Sequence, residues 1–239
     1  MSTFHRIVAG LGATAAAAAL TVSVAPAAEA TSSTAACPQV VTIAARGTTQ
    51  GNDKSLGLLS KLTSAIQSKT KLSDRVYNLP YQSTTTGFAG AGYNGDVSGG
   101  EKLLRSYLNS TASRCGAGTS FVLVGWSKGA NVVMDTIDDA GTQLSATVRG
   151  RIKAVVVYGD PTFTTSQSFD RGTYNWLAPS LFPRHAGFST FGSSRIRSYC
   201  DDGDAVCQSN LAFGWGVHSG YFAKYDGTAA SFVVGKLGR

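Results

Sequence analysis

One nine-residue stretch limits the possible folds more than any other. Phe121-Val-Leu-Val-Gly125-Trp-Ser127-Lys-Gly129 carries an apolar, β-branched run into a G-x-S-x-G pattern, and a helix-compatible stretch follows. A sharp strand-to-helix turn at this point lifts the Ser127 hydroxyl above a sheet. Side chains at 125 or 129 would collide with neighbouring backbone, so both positions need glycine. Five letters recur by chance in a chain with 28 glycines, so their context must decide their meaning.

That context is an alternation of strand and helix. Apolar runs predict strands at residues 40–45, 75–79, 121–125, 152–158 and 195–199. Helical spacing of Leu58, Leu59, Leu62 and Ile66 predicts a helix over 55–68. Leu103, Leu104 and Leu108 predict another over 100–112, and further helices are expected over 128–140 and 221–237. This order implies an α/β fold with a mostly parallel sheet, right-handed crossovers covering both faces to give three α/β/α layers. No repeat or linker divides the chain, and 43% hydrophobic with 15% charged residues suits one compact domain.

Residues 1–30 read as a secretory signal. His5 and Arg6 precede an apolar, alanine-rich stretch over 7–24, and Ala28-Glu29-Ala30 offers an A-x-A cleavage site, so an extracellular mature domain over 31–239 is expected. Glycines and Pro26 argue against a membrane anchor, and stable membrane insertion is not expected. Four cysteines in an exported chain predict disulfides. Cys200 and Cys207 bracket the short acidic loop Asp201-Asp-Gly-Asp204-Ala-Val, which favours their pairing and leaves Cys37 for Cys115. Zinc is not expected, since the chain has no C-x-x-C pair and only three histidines. The net charge of +7 is scattered, locally dense only at Arg149-Gly-Arg151-Ile-Lys153, which fits a solvated basic surface rather than a nucleic-acid site. Asn109-Ser-Thr111 is a glycosylation sequon.

A serine hydroxyl is a poor nucleophile at neutral pH and needs a base oriented by an acid. His218 follows the last predicted strand and Asp204 lies in the cysteine loop, giving the order Ser127, Asp204, His218. A rival pairing uses Asp160 of Tyr158-Gly-Asp-Pro161, at the end of a strong strand, with His185. The small covalent ring around Asp204 favours the first set, because preorganised catalysis needs a rigid acid. Developing oxyanion charge needs fixed donors: the Lys128 backbone N–H and, from Arg46-Gly47-Thr48-Thr49 after the first strand, Thr48 through its N–H and hydroxyl.

These residues together resemble the cutinase family of secreted serine esterases. Cys37-Pro38, Ala45-Arg46-Gly47-Thr48-Thr49, Gly125-Trp-Ser127-Lys-Gly129-Ala130, Tyr158-Gly-Asp-Pro161, Gly203-Asp204 between Cys200 and Cys207, and His218 with Tyr221 fall in family order over nearly all of 31–239. The resemblance implies a catalytic domain with a five-stranded, mostly parallel sheet. It also implies ester hydrolysis through an acyl-enzyme, with Ser127, Asp204 and His218 as triad, Thr48 and Lys128 as oxyanion hole, and no metal or organic cofactor. Lys128 stands where the family commonly has glutamine, and Thr48 where serine is more usual. A cation there would lower nearby pKa values or favour anionic substrates, unless it turns to solvent.

The expected activity is hydrolysis of cutin-like, lipidic or short- to medium-chain acyl esters, with an insoluble polymer or lipid surface as partner, by a monomer. Residues 162–194, rich in aromatics including Phe163, Phe169, Trp176 and Phe182, would wall the cleft or touch that surface, or else form a packed satellite cluster. An alternative on the same triad is deacetylation of plant-wall polysaccharide, since cutinase-like sequences include acetylxylan esterases. A catalytically silent binding protein is a third class, against which the intact Ser127, Asp204 and His218 argue.

Overall fold

The computed structural model describes residues 36–48, 50, 55–83, 88, 90–140 and 144–238. The signal expected over 1–30 lies outside the described residues. Strands β1 (Val40–Ala45), β2 (Asp74–Asn78), β3 (Ser120–Trp126), β4 (Ile152–Tyr158), β5 (Asp170–Arg171) and β6 (Ile196–Tyr199) form one sheet in the order β2-β1-β3-β4-β6-β5, every pairing parallel. The sheet therefore has six strands, not the five expected. The extra strand is the two-residue β5, which pairs Asp170 with Ser198 and Arg171 with Tyr199, and is too short to leave a period in the sequence.

The central strands are hydrophobic without alternation because both faces are covered. All of β1 is buried, as is β4 apart from Lys153. Helices α2 (Ala91–Cys115) and α3 (Lys128–Ile137) cover one face, where Val41, Ile43, Leu123, Val155 and Val157 meet Val97, Leu104 and Val133. Helices α1 (Leu59–Lys69) and α5 (Trp215–Lys236) cover the other, where Val122, Val124 and Val156 meet Leu62, Ile66, Tyr221 and Val233. A short α4 (Ala146–Arg151), capped by the Ser145 side chain accepting from the Val148 N–H, precedes β4.

Two helices differ from expectation. α2 starts at Ala91 rather than near residue 100, since Tyr93, Val97, Gly100, Leu104 and Leu108 make a buried stripe that outweighs the poor propensity of Gly92, Gly95 and Gly99. Gly100 is where α2 meets α3: a Cβ there would lie 2.8 Å from Val132. Leu103, expected on the inner face, is 41% exposed. α5 begins at Trp215, so His218 sits in its first turn rather than in a loop.

Both disulfides expected from the sequence are present, Cys37 to Cys115 and Cys200 to Cys207. Arg151 is not part of a basic surface patch, because it turns inward and donates to the carbonyls of Thr119 and Ala112. No helix among the described residues is long and apolar enough to cross a membrane. The strand order reverses at β1, which has β2 on one side and β3 on the other. The crevice beyond the carboxyl ends of β1 and β3 is thus the topological switch point, where open α/β sheets place their sites.

Candidate active site

Ser127 occupies that switch point between β3 and α3, with φ 55° and ψ −124°, a conformation that non-glycine residues rarely adopt. Such strain persists only where surroundings over-determine it. A Cβ on Gly125 would lie 2.6 Å from the Gly129 carbonyl oxygen, and one on Gly129 would lie 2.0 Å from that of Ala45. The steric reading of both glycines therefore holds. The Ser127 N–H donates to the Tyr158 carbonyl at 2.9 Å, and its own carbonyl accepts from Ala130 and Asn131 as α3 begins.

The structure brings Asp204 and His218 together beside this turn. Nδ1 of His218 lies 2.9 Å from Oδ2 and 3.1 Å from Oδ1 of Asp204. A carboxylate only accepts, so Nδ1 donates, and in the neutral imidazole Nε2 is then the acceptor. Asp204 is fully buried and receives three further donors: the N–H groups of Val206 (2.5 Å) and Cys207 (2.8 Å), and the Tyr221 hydroxyl (2.6 Å). The disulfide from Cys200 to Cys207 closes the loop that presents those N–H groups. Nε2 of His218 is buried and has no hydrogen-bond partner among the described residues.

Three contacts fix the imidazole. The Trp126 indole N–H donates to the His218 carbonyl at 2.9 Å, and its ring lies 5.1 Å from the imidazole. Trp215 meets the imidazole edge-on at 5.8 Å. Gly159, with φ +56°, passes beneath it: a Cβ there would be 2.7 Å from both Cε1 and Nδ1. The sequence reading noted Gly159 only as part of a strand end, because its role depends on a residue 59 positions away (218 minus 159).

Thr48 follows β1, and its buried hydroxyl likewise lacks a hydrogen-bond partner among the described residues. Arg46 anchors that loop, donating to Asn78 Oδ1 (2.7 Å) and to the carbonyls of Leu79 and Tyr81, while the Tyr81 hydroxyl donates back to the Arg46 carbonyl. Gly47 lets the loop lie on Trp126, whose ring would be 2.3 Å from a Cβ. Lys128 is the first residue of α3. Its side chain neither faces solvent nor reaches a substrate surface: it is wholly buried, with Nζ 2.7 Å from Asp96 Oδ2.

Asp160 and His185 are arranged differently. Asp160 is buried, and its Oδ1 accepts from the Thr162 N–H (2.9 Å) and hydroxyl (2.7 Å). Burial raises its pKa, opposed by the Arg184 cation. His185 is exposed, and among the described residues it makes no hydrogen bond to Asp160, although both border one cavity of about 280 Å³. Arg184 gathers Asp135, Asp138 and Asp160, pinning the 162–194 segment to α3. The segment is partly packed and partly exposed: Phe163, Phe169 and Phe191 are buried anchors, while Trp176 and Leu177 are each 70% exposed.

A second cavity, of about 430 Å³, opens beside α3 between Phe88, Tyr93, Phe182, Asn131, Asp135 and Glu101. Asn131 is one helical turn beyond Ser127, and Phe88 stacks on Trp215, which touches His218. Ser127 and His218 are not in the cavity's lining, but Asn131 and Phe88 connect it to residues beside them.

A parallel sheet with a serine elbow at its switch point and an acid-bound histidine at the neighbouring carboxyl end defines an α/β-hydrolase. The cutinase family model matches residues 36–237, and the chain belongs to that family, a family of serine carboxylic-ester hydrolases. It is 32% identical over 216 residues to acetylxylan esterase 2 of Talaromyces purpureogenus, covering 84% of this chain and 88% of that protein. It is 29% identical over 208 residues to a cutinase of Kineococcus radiotolerans, covering 84% and 62% respectively. A solved acetylxylan esterase structure superposes with a TM-score of 0.73 at 29% identity, covering 84% of this chain and all of that one.

Proposed function

We propose that Ser127, His218 and Asp204 form the triad of a secreted serine carboxylesterase, with Thr48 and the Lys128 N–H as oxyanion hole. One observation carries the reading: an imidazole held through Nδ1 by a saturated carboxylate, with Nε2 buried and without a partner among the described residues, beside a strained serine. Nε2 takes the Ser127 proton as Oγ attacks the ester carbonyl. The oxyanion accepts hydrogen bonds from the Lys128 N–H and Thr48. Nε2 then protonates the departing alcohol, leaving an acyl-Ser127, and water activated by the same nitrogen releases the acid. Asp204 holds the tautomer and stabilises the imidazolium. Secretion, with residues 1–30 as leader, is supported by two disulfides in the folded chain.

For the substrate, the cavity beside α3 favours a small acyl group on a hydroxylated polymer. Phe88 and Phe182 offer faces for a sugar ring, and the polar side chains of Asn131, Asp135 and Glu101 in the same lining suit a hydroxylated ligand better than an alkyl chain. The acetylxylan esterase relatives support the same reading. A lipidic ester is the second reading, favoured by Phe213, Trp215 and Leu211 near His218, which are 87%, 47% and 46% exposed. The test is initial rates on p-nitrophenyl esters from acetate to palmitate and acetate release from acetylated xylan, beside Ser127→Ala. The first reading expects acetate preference and xylan deacetylation, both lost in the variant; a maximum at long chains with inert xylan would select the second.

A further inference from the structure

We propose that the buried ammonium of Lys128 and the carboxylate of Asp96 form a positioning pair that holds the oxyanion hole in register with Ser127. The inference rests on the esterase reading above. Lys128 is 0% exposed although it immediately follows the nucleophile. Its Nζ lies 2.7 Å from Oδ2 of Asp96, which is 7% exposed, and 5.1 Å over the ring of Tyr93. Both partners belong to the N-terminal part of α2, so the pair ties that helix to the first residue of α3.

A buried ion pair is a poor device for stability alone. Desolvation of both charges offsets most of their attraction, and apolar side chains of similar volume serve as well or better. What the pair adds is direction: a charge-assisted hydrogen bond fixes length and angle where apolar packing tolerates sliding. That matters here because the elbow is strained at Ser127 and the next N–H must point at one oxygen. Gly125 and Gly129 permit close approach without fixing it, and Trp126 fixes His218. Asp96 acts on the residue whose N–H is the proposed oxyanion donor. Tyr93 extends the restraint along α3, since its hydroxyl donates to Oδ1 of Asn131 at 3.1 Å.

The test compares kcat and KM on p-nitrophenyl acetate for wild type, Ser127→Ala, Asp96→Asn, Lys128→Met and the double variant Asp96→Leu with Lys128→Met, alongside Tm. Each single variant is expected to lower kcat about 10- to 100-fold with KM within about twofold, because misplacing an oxyanion donor weakens the transition state and spares substrate binding. The double variant is expected to recover Tm but not kcat. Recovery of kcat together with Tm would overturn the proposal, since the pair would then be structural only. Single variants that fold with unchanged kcat, or that raise KM instead, would also overturn it. A wild type without activity, or Ser127→Ala that retains it, would overturn the esterase reading and this inference with it.

Discussion

Substituting Gly159 by alanine should disable the site without replacing any reacting group. The new Cβ would sit 2.7 Å from Cε1 and Nδ1 of His218 and 3.3 Å from Oδ2 of Asp204. Ordinary contact begins at 3.4 Å, so the imidazole must retreat by about 0.7 Å (3.4 minus 2.7). Retreat is opposed by Trp126 and Trp215, whose rings already flank the imidazole. A misplacement of about 1 Å costs on the order of 100-fold in rate, so a kcat loss of about 30- to 100-fold is expected on p-nitrophenyl acetate. Backbone strain adds to this, because φ is +56° and a left-handed alanine costs about 1–2 kcal/mol, lowering Tm by about 2–8 °C. Gly150→Ala is the control: it lies in α4, and its Cβ would meet nothing within 4 Å. The reasoning is refuted if Gly159→Ala folds and keeps kcat within about threefold of wild type.

Three further outcomes are expected. Tyr221→Phe removes the 2.6 Å donor to Asp204 Oδ2 and the acceptor of the buried Asp201 N–H while keeping the ring stacked on Tyr158, and should lower kcat about 3- to 30-fold and destabilise the fold by about 1–3 kcal/mol, read by steady-state kinetics beside thermal unfolding. Replacing Cys200 and Cys207 by serine removes closure of a loop with sequence separation 7, worth about 2 kcal/mol of stability, and should cost activity at temperatures where the chain is still folded. Burial raises the Asp226 carboxyl from 3.8 to about 6. A folded-state value above the unfolded one stabilises fully below pH 3.8, and that contribution is lost as pH rises through about 6. Asp226→Asn keeps an acceptor for the Tyr158 hydroxyl and removes the titration, so Tm against pH should flatten over this window and rise above wild type near neutrality.

Residues that act through local pattern were legible in the sequence. The apolar runs of β1 and β4 mark both strands to the residue, because strands buried on two faces are apolar at nearly every position. The elbow glycines were legible because the G-x-S-x-G pattern spans five residues, although the backbone that crowds Gly129 belongs to Ala45 and Arg46, far earlier in the chain. What escaped depends on contacts distant in the chain. Lys128 turns inward only because Asp96 waits 32 residues earlier on another helix. The start of α2 is hidden by glycines whose poor propensity is overridden by packing on α3. Gly159 resembles any strand-end glycine until His218 is placed above it.

The central claim is that Ser127 Oγ is the acylated nucleophile and His218 its base. The most direct measurement is to treat the protein with a p-nitrophenyl alkylphosphonate, follow p-nitrophenol release and locate the adduct by peptide mass spectrometry. The account predicts one equivalent released per chain, a single adduct on Ser127 and loss of esterase activity in step with labelling. It also predicts that His218→Ala labels at least 100-fold more slowly. An adduct on another residue, or ester hydrolysis that continues after Ser127 is fully labelled, would contradict it.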